Sequence, residues 1–178
     1  EQEEESVERS SKTRSLEQKP KASIRRLLRL VNHQHTRAVI DEIEQIAQEL
    51  GDLSGIKDGQ WPFVNIRDVR LLRCLLKAGL NPEITDDNNQ TLLWQCASSA
   101  PCVNLLLKRG VDLERRSDDG ETAFVRSMYA ESIPAVKRLI EAGANPTVRL
   151  RWHITHKLEH NKKLAQIVVV ARVQWRRK

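Results

Sequence analysis

Aromatic residues and cysteines are scarce in this chain of 178 residues. It has four tryptophans, two phenylalanines and one tyrosine, so any core must be built mainly from aliphatic side chains. The three cysteines, Cys74, Cys96 and Cys102, are scattered and odd in number, which argues against a disulfide framework. We interpret each as a small apolar core residue, because the spacing places no activating base beside any of them. The cysteines predict an intracellular protein in a reducing compartment, either the cytoplasm or an organellar matrix.

Long apolar runs are also missing. The longest unbroken run spans residues 167–171 and has five residues, whereas a membrane-spanning helix needs about 18. No secretory signal pattern opens the sequence. We therefore expect no membrane span.

Catalytic signatures are absent as well. The seven glycines form no phosphate-binding loop, and neither a nucleophile elbow nor an HExxH motif occurs, so we expect no enzymatic activity and no cofactor. His153, His156 and His160 would share one face of a helix, an arrangement that can bind zinc. The alternative is a basic surface with solvated imidazoles. We favour it and expect no metal site, because no cysteine or well-placed acid completes the set.

Charge is distributed unevenly along the chain. Residues 1–22 contain six acids and five bases, residues 23–148 contain 17 acids and 16 bases, and residues 149–178 contain one acid and nine bases. The net charge of +6 therefore originates in the C-terminal segment. Residues 1–22 have almost nothing to bury, so they are predicted to be a charged, disordered arm.

Helical periodicity begins at residue 23. Ser23 can cap a first helix, and a second helix is predicted from about Thr36 to Gly51, a residue type that commonly ends helices. Residues 23–56 are therefore predicted to form an N-terminal capping helical hairpin.

Similar segments then recur, and they align on their glycines. Gly79, Gly110 and Gly143 follow apolar helical segments and are spaced 31 and 33 residues apart. Polar openers precede the two later segments, and their Thr91 and Thr122 can each cap a short inner helix. A second helix then leads to the glycine, which ends it in a left-handed conformation. No such unit can bury its apolar face alone, so the units must stack.

This pattern resembles the ankyrin repeat, whose period is about 33 residues. The resemblance implies an all-α solenoid of about four to five helical hairpins with degenerate caps. Repeats are expected over residues 57–149, and a degenerate cap with a basic tail over residues 150–178. In that last segment Thr155 lies 33 residues beyond Thr122.

Several residues depart from the usual ankyrin pattern. Leu92 and Ala123 stand at the position of a proline, and Trp94 and Val125 stand at the position of a histidine. Asn89 replaces a turn glycine, which asparagine can do because it tolerates a positive φ. These changes leave the predicted fold intact.

The resemblance implies a concave surface, made of turn tips and inner helices, that binds proteins. Acidic tips favour a partner with a basic patch, and Trp94 and Tyr129 are the aromatic type that anchors interfaces. The alternative is that the acids only interact with helix dipoles. The predicted protein-binding residues are Asp87, Asn88, Gln90, Trp94, Ser98, Asp118, Asp119, Glu121 and Tyr129.

The basic tail is a second candidate surface. Its cations alternate with tryptophans, a pattern that suits RNA, an acidic protein or an anionic membrane surface. A solubilising cap is the alternative. The predicted contact residues are Arg149, Arg151, Trp152, Lys162, Lys163, Arg172, Trp175, Arg176, Arg177 and Lys178.

Three hypotheses for the function follow. The first is a non-enzymatic scaffold or adaptor that binds a partner through its concave face. The second is an accessory subunit of a large assembly, such as an organellar ribonucleoprotein, with the basic tail on nucleic acid. The third is a substrate-recognition fragment of a larger effector or enzyme.

Overall fold

Helices are the main secondary structure in the part of the chain described by the structure, a computed structural model. The described residues are 25–27, 29–30, 37–50, 53–58, 66–148 and 150–177. Within them the one extended pairing is an isolated bridge between Thr85 and Thr91. The predicted all-α class is confirmed. The predicted disordered arm and the capping Ser23 lie outside the described residues.

Eight helices are delimited in the described part of the chain. They are α1 (Arg37–Leu50), α2 (Val69–Lys77), α3 (Leu92–Gln95), α4 (Ala100–Leu107), α5 (Ala123–Tyr129), α6 (Ile133–Glu141), α7 (Trp152–His160) and α8 (Lys162–Trp175). Residues 25–27 and 29–30 are also helical. The bounds of α1 confirm the second helix that the sequence predicts.

The helices stack in two rows. The inner row consists of α3, α5 and α7, and the outer row of α2, α4, α6 and α8, each helix in contact with the next in its row. Each inner helix also pairs with the outer helix that follows it, and α1 packs against α2. This is a solenoid of stacked helical hairpins, as the repeats predict.

Threonine caps and glycine stops define each repeat unit. The Thr91 hydroxyl accepts a hydrogen bond from the Trp94 amide (3.1 Å), and the Thr122 hydroxyl accepts one from the Val125 amide (3.4 Å). Gly143, after α6, has a φ of 97°. A left-handed glycine at this position satisfies carbonyls that the helix end would leave unpaired. The predicted cap and stop roles are confirmed.

The core runs along the solenoid between the two rows. Its fully buried members include Leu71, Leu72, Leu75, Leu93, Val103, Phe124, Val136, Leu139 and Leu164. Cys96 and Cys102 are buried as predicted, while Cys74 is half-buried. Burial raises the pKa of the Cys96 thiol well above its ordinary value, so this cysteine stays protonated and packs as an apolar side chain.

Loops behind the glycines tie each repeat to the next. The Glu83 carboxylate accepts a hydrogen bond from the Asp112 amide (2.6 Å), and the Glu114 carboxylate accepts one from the Asn145 amide (2.7 Å). The same contact recurs 31 residues later, so it fixes the stacking of successive units. These exposed contacts add register more than stability.

The last hairpin departs from the earlier units. Thr155 does not cap a helix, because α7 already begins at Trp152, and the Thr155 hydroxyl donates to the Arg151 carbonyl (3.4 Å). Asn161 caps α8 instead, accepting from the Leu164 amide (3.1 Å). None of the helices in the described residues is long and apolar enough to cross a bilayer.

Candidate protein-interaction surface

Two exposed turn tips rise from the starts of α3 and α5. In each tip the backbone amide of the first residue donates a hydrogen bond to the carbonyl of the residue four positions later. The Asp86 amide donates to the Gln90 carbonyl, and the Ser117 amide donates to the Glu121 carbonyl. Asn89 (φ 55°) and Gly120 (φ 75°) occupy equivalent left-handed positions, which confirms that Asn89 replaces a turn glycine.

Hydrogen bonds join the tips into one edge. The Asp118 amide donates to the Asn88 carbonyl (3.0 Å), and the Asn89 side chain donates to the Asp118 carboxylate (2.6 Å). Arg151 continues the edge, since its guanidinium donates to the Asp119 carbonyl (3.0 Å) and approaches the Asp119 carboxylate (3.3 Å). Successive tips are therefore held in fixed positions relative to one another.

A buried carboxylate stiffens the first tip. Asp86 is 2% exposed, and its Oδ1 accepts hydrogen bonds from the amides of Asn88 (3.0 Å) and Gln90 (2.9 Å). Its Oδ2 accepts from the Gln95 side chain (3.3 Å). These three hydrogen bonds replace the hydration that the carboxylate loses on burial, and they fix the turn. Sequence reasoning gave Asp86 no such role.

Behind the tips, an arginine lies against two aromatic rings. The guanidinium carbon of Arg126 is 4.4 Å from the ring centroid of Trp94 and 5.3 Å from that of Tyr129. Both distances fall within the range of a cation–π interaction, roughly 6 Å. Trp94 is only 6% exposed, whereas Tyr129 is 42% exposed. Trp94 therefore supports Arg126 from below, and Tyr129 presents the more exposed of the two rings.

A second cation follows Tyr129 along the inner row. Lys157 Nζ lies 4.8 Å from the Tyr129 ring centroid, donates to the Tyr129 carbonyl (2.9 Å) and pairs with the Glu131 carboxylate (3.0 Å). Asn161 also donates to Glu131 (3.3 Å). The hydrogen bond from Lys157 is the main reason that the pKa of Glu131 lies below its ordinary value. The inner row thus carries basic and aromatic groups behind an acidic edge.

Comparison with known proteins agrees with this architecture. The family model described as ankyrin repeats, in three copies, matches residues 64–149. These residues are ankyrin repeats. The crystal structure of the ankyrin repeat domain of Bcl-3, described as a unique member of the IkappaB protein family, matches with a TM-score of 0.53 at 21% identity, over 76% of this chain and 68% of that one. At this identity the likeness shows the fold alone. A search of curated protein sequences finds no match.

Ankyrin repeats are a protein–protein interaction module. The two turn tips, at residues 86–90 and 117–121, contain most of the predicted binding residues. Those that are exposed are Asp87, Asn88, Asp118, Asp119 and Tyr129, and those that are half-buried are Gln90, Ser98 and Glu121.

Sequence reasoning missed Arg126, Glu131 and Lys157. A signal existed, because Lys157 lies 31 residues beyond Arg126, the spacing of Thr91 and Thr122. Residues at that spacing fall on the same face of successive inner helices. Only the acids of the tips were considered as charge on this surface, so its basic row was overlooked.

The C-terminal residues divide between structural and exposed positions. Arg172 was expected to point outward, but it is half-buried and donates to the carbonyls of Pro146 (2.7 Å) and Val148 (3.2 Å), which fixes the preceding loop. Arg151 contacts Asp119, as described above, and Trp175 is half-buried. Besides Arg151, the exposed residues are Trp152, Lys162, Lys163, Arg176 and Arg177. Arg149 and Lys178 lie outside the described residues.

Two of the three C-terminal histidines lie close together. The ring centroids of His156 and His160 are 4.3 Å apart, and His160 Nδ1 is 2.8 Å from the His156 carbonyl. Among the described residues no group of three or more potential ligands could hold a metal ion. The side chain of His153 is outside that set.

Proposed function

We propose that the concave face of these ankyrin repeats binds a partner protein that carries basic residues. The observation that supports this most directly is the acidic edge formed by the two tips. Asp87, Asp118 and Glu121 make no ion pair with any described residue, so their charges remain available to a partner. Exposed charge of one sign on a rigid surface speeds association and favours partners of the opposite sign.

The available acids differ from those that serve the fold. Asp119 is matched by Arg151, and Asp118 also accepts the Asn89 amide group. Asp87 and Glu121 form no hydrogen bond or ion pair with any described residue outside the tip in which they stand. Changing these two residues therefore tests recognition while it leaves the contacts between the tips in place.

A random-peptide library displayed on phage provides a direct test. Peptides selected on the wild-type chain are synthesised, and their affinity is measured for wild type and for the double variant Asp87→Lys/Glu121→Lys. We expect the double variant to weaken binding at least tenfold and to reverse its salt dependence, because attraction becomes repulsion. The matched control is Glu49→Lys/Glu141→Lys, two exposed acids of α1 and α6. Equal affinity in the tip variant would contradict the proposal.

The exposed C-terminal cations support a second candidate, contact with nucleic acid. Lys162, Lys163, Arg176 and Arg177 are exposed, and Trp152 is 80% exposed, which suits phosphate contact and base stacking. Binding of a single-stranded RNA oligonucleotide should then fall steeply with salt, and Arg176→Gln/Arg177→Gln should flatten that slope. Absence of a steep slope in wild type would remove this candidate.

The third hypothesis, a substrate-recognition fragment, needs no other surface. Substrate recognition within a longer chain would use the same concave face, so the tip variant tests it too. Three free cysteines, two of them buried, support an intracellular, reducing compartment.

A further inference from the structure

Arg126 is the cation of the inner row that has no anionic partner among the described residues. It lies on α5, half-buried, and its contacts in the structure are the rings of Trp94 and Tyr129. No described residue accepts a hydrogen bond from its guanidinium or forms an ion pair with it. Lys157, its neighbour in the next repeat, is instead paired with Glu131. The two cations therefore differ in what they can offer to a partner.

The aromatic contacts hold Arg126 in place. A guanidinium packed on rings loses little further side-chain entropy when it binds an anion, so the cost of ordering it is already met by the fold. Its N–H donors form a planar fork that matches the two oxygens of a carboxylate. The group is thus prepared for a bidentate contact that the chain itself does not supply.

Distance along α5 relates Arg126 to the acidic edge. Arg126 lies four residues beyond the cap Thr122, so at about 1.5 Å per residue it stands roughly 6 Å behind the start of the helix. An extended peptide rises about 3.3 Å per residue. Because side chains alternate along an extended peptide, a peptide that places a basic side chain at the tips can place the side chain two residues away over Arg126.

We infer that Arg126 binds an aspartate or glutamate side chain of the partner segment, two residues from a lysine or arginine that contacts the tips. This inference rests on the proposed function of the concave face and specifies its partner's chemistry. The recognised segment carries both signs of charge, with its acid over the basic inner row and its base over the acidic edge.

The peptide library described above also tests this inference. Peptides selected on wild type are expected to be enriched in an acid two residues from a base. A selected peptide and its Glu→Gln or Asp→Asn counterpart are then titrated into wild type and Arg126→Gln. Each single change should weaken binding about tenfold or more, and the two together should weaken it little further, because both remove the same contact.

Two control variants separate recognition from folding. Arg109→Gln removes an exposed arginine after α4, outside the inner row, and should leave affinity unchanged. Arg126→Lys keeps the charge but loses the planar fork, and should recover only part of the affinity. Thermal unfolding of each variant shows whether a loss of affinity reflects a loss of fold. Of these variants, only Arg126→Gln should bind a selected peptide and its neutral counterpart equally well.

The outcomes distinguish this inference from the proposed function. Additive effects, or equal affinity of Arg126→Gln, would overturn the inference, while sensitivity to Asp87→Lys/Glu121→Lys would still support binding at the concave face. Dependence on Arg126 without dependence on the tips would support the carboxylate contact and contradict the role of the acidic edge. A library that yields no peptide dependent on either would contradict both.

Discussion

The two ankyrin units that follow Thr91 and Thr122 share a fold but differ in their inner helices. α3 has four residues, whereas α5 has seven. The outer helix begins nine residues after Thr91 and eleven residues after Thr122, so the two additional residues lie before α6. The length difference thus lies in the inner helix and the turn that follows it, between the capping threonine and the outer helix.

Because of this difference, the shorter inner helix is fully buried, whereas the longer one carries side chains to the surface. In the short helix all four residues are buried, and Gln95 turns inward to the Asp86 carboxylate. The longer helix continues far enough to present Arg126 and Tyr129 at the surface, with Trp94 of the short helix beneath Arg126. A side chain of one unit therefore supports a surface side chain of the next, which is possible because each repeat packs against its neighbours.

The largest effect expected in this comparison comes from the matching core positions. Leu93 and Phe124 each stand two residues after the capping threonine, and both are buried. Phe124→Ala should lower the free energy of unfolding by about 3–5 kcal/mol and Leu93→Ala by about 2–5 kcal/mol, because each leaves a cavity. Urea unfolding measures both values. A loss under about 1 kcal/mol would contradict the placement of that side chain in the shared core.

The glycine stops should show a smaller effect. A Cβ added at Gly110 (φ 72°) or Gly143 (φ 97°) would meet no atom within 4 Å, so the cost of alanine there is purely conformational. We expect each change to destabilise by about 1–2 kcal/mol. Gly55 is also open but has no positive φ, so Gly55→Ala should cost much less. Thermal unfolding of the three variants compares them directly.

The two tips can be compared at their left-handed positions. Asn89→Gly makes the first tip like the second at Gly120 and keeps the conformation, although it removes the hydrogen bond to Asp118. Asn89→Ala loses the same hydrogen bond and adds left-handed strain, so it should be less stable than Asn89→Gly by about 1 kcal/mol. Denaturant unfolding measures the difference. Equal stabilities would show that φ at this position is not constrained.

The smallest effect should be a pH dependence specific to the second unit. The hydrogen bond from Lys157 holds the pKa of Glu131 below its ordinary value of 4.5. A carboxyl with a lowered pKa in the folded state stabilises the fold above its unfolded pKa, and this contribution is lost as the pH falls through the folded value. Wild type should therefore exceed Glu131→Gln in melting temperature near neutral pH. The gap should close as the pH falls below 4.5. A gap that stays constant with pH would contradict the ion pair.

The fold was largely predictable because it depends on short-range, repeated signals. Thr91 and Thr122 cap helices, and Gly143 ends one, through local backbone chemistry that any stretch of sequence reveals. The last hairpin was less predictable. The capping residue there is Asn161, at the start of α8, and not the threonine expected from the repeat. Thr155, which the 31–33 residue spacing marks as a cap, lies inside α7.

The candidate site was predictable only in part. The tips followed from the repeat, but the arrangement of Trp94 under Arg126 depends on packing between successive units, which no single segment encodes. Glu131 adopts a φ of 53° without the glycine or asparagine that signals such a turn. Its contacts with Lys157 and Asn161 come from the next hairpin. Inter-repeat contacts of this kind are determined by stacking geometry and not by local propensity.

Nuclear magnetic resonance with the isotope-labelled full chain tests the central claim most directly. On titration with a peptide selected from the display library, amide shifts should map to the tips at residues 87–90 and 118–121, to Arg126 and Tyr129, and to the neighbouring part of α7. The outer helices α2, α4 and α6 should change little. Shifts confined to the outer row, or to residues 162–177, would contradict recognition through the concave ankyrin face.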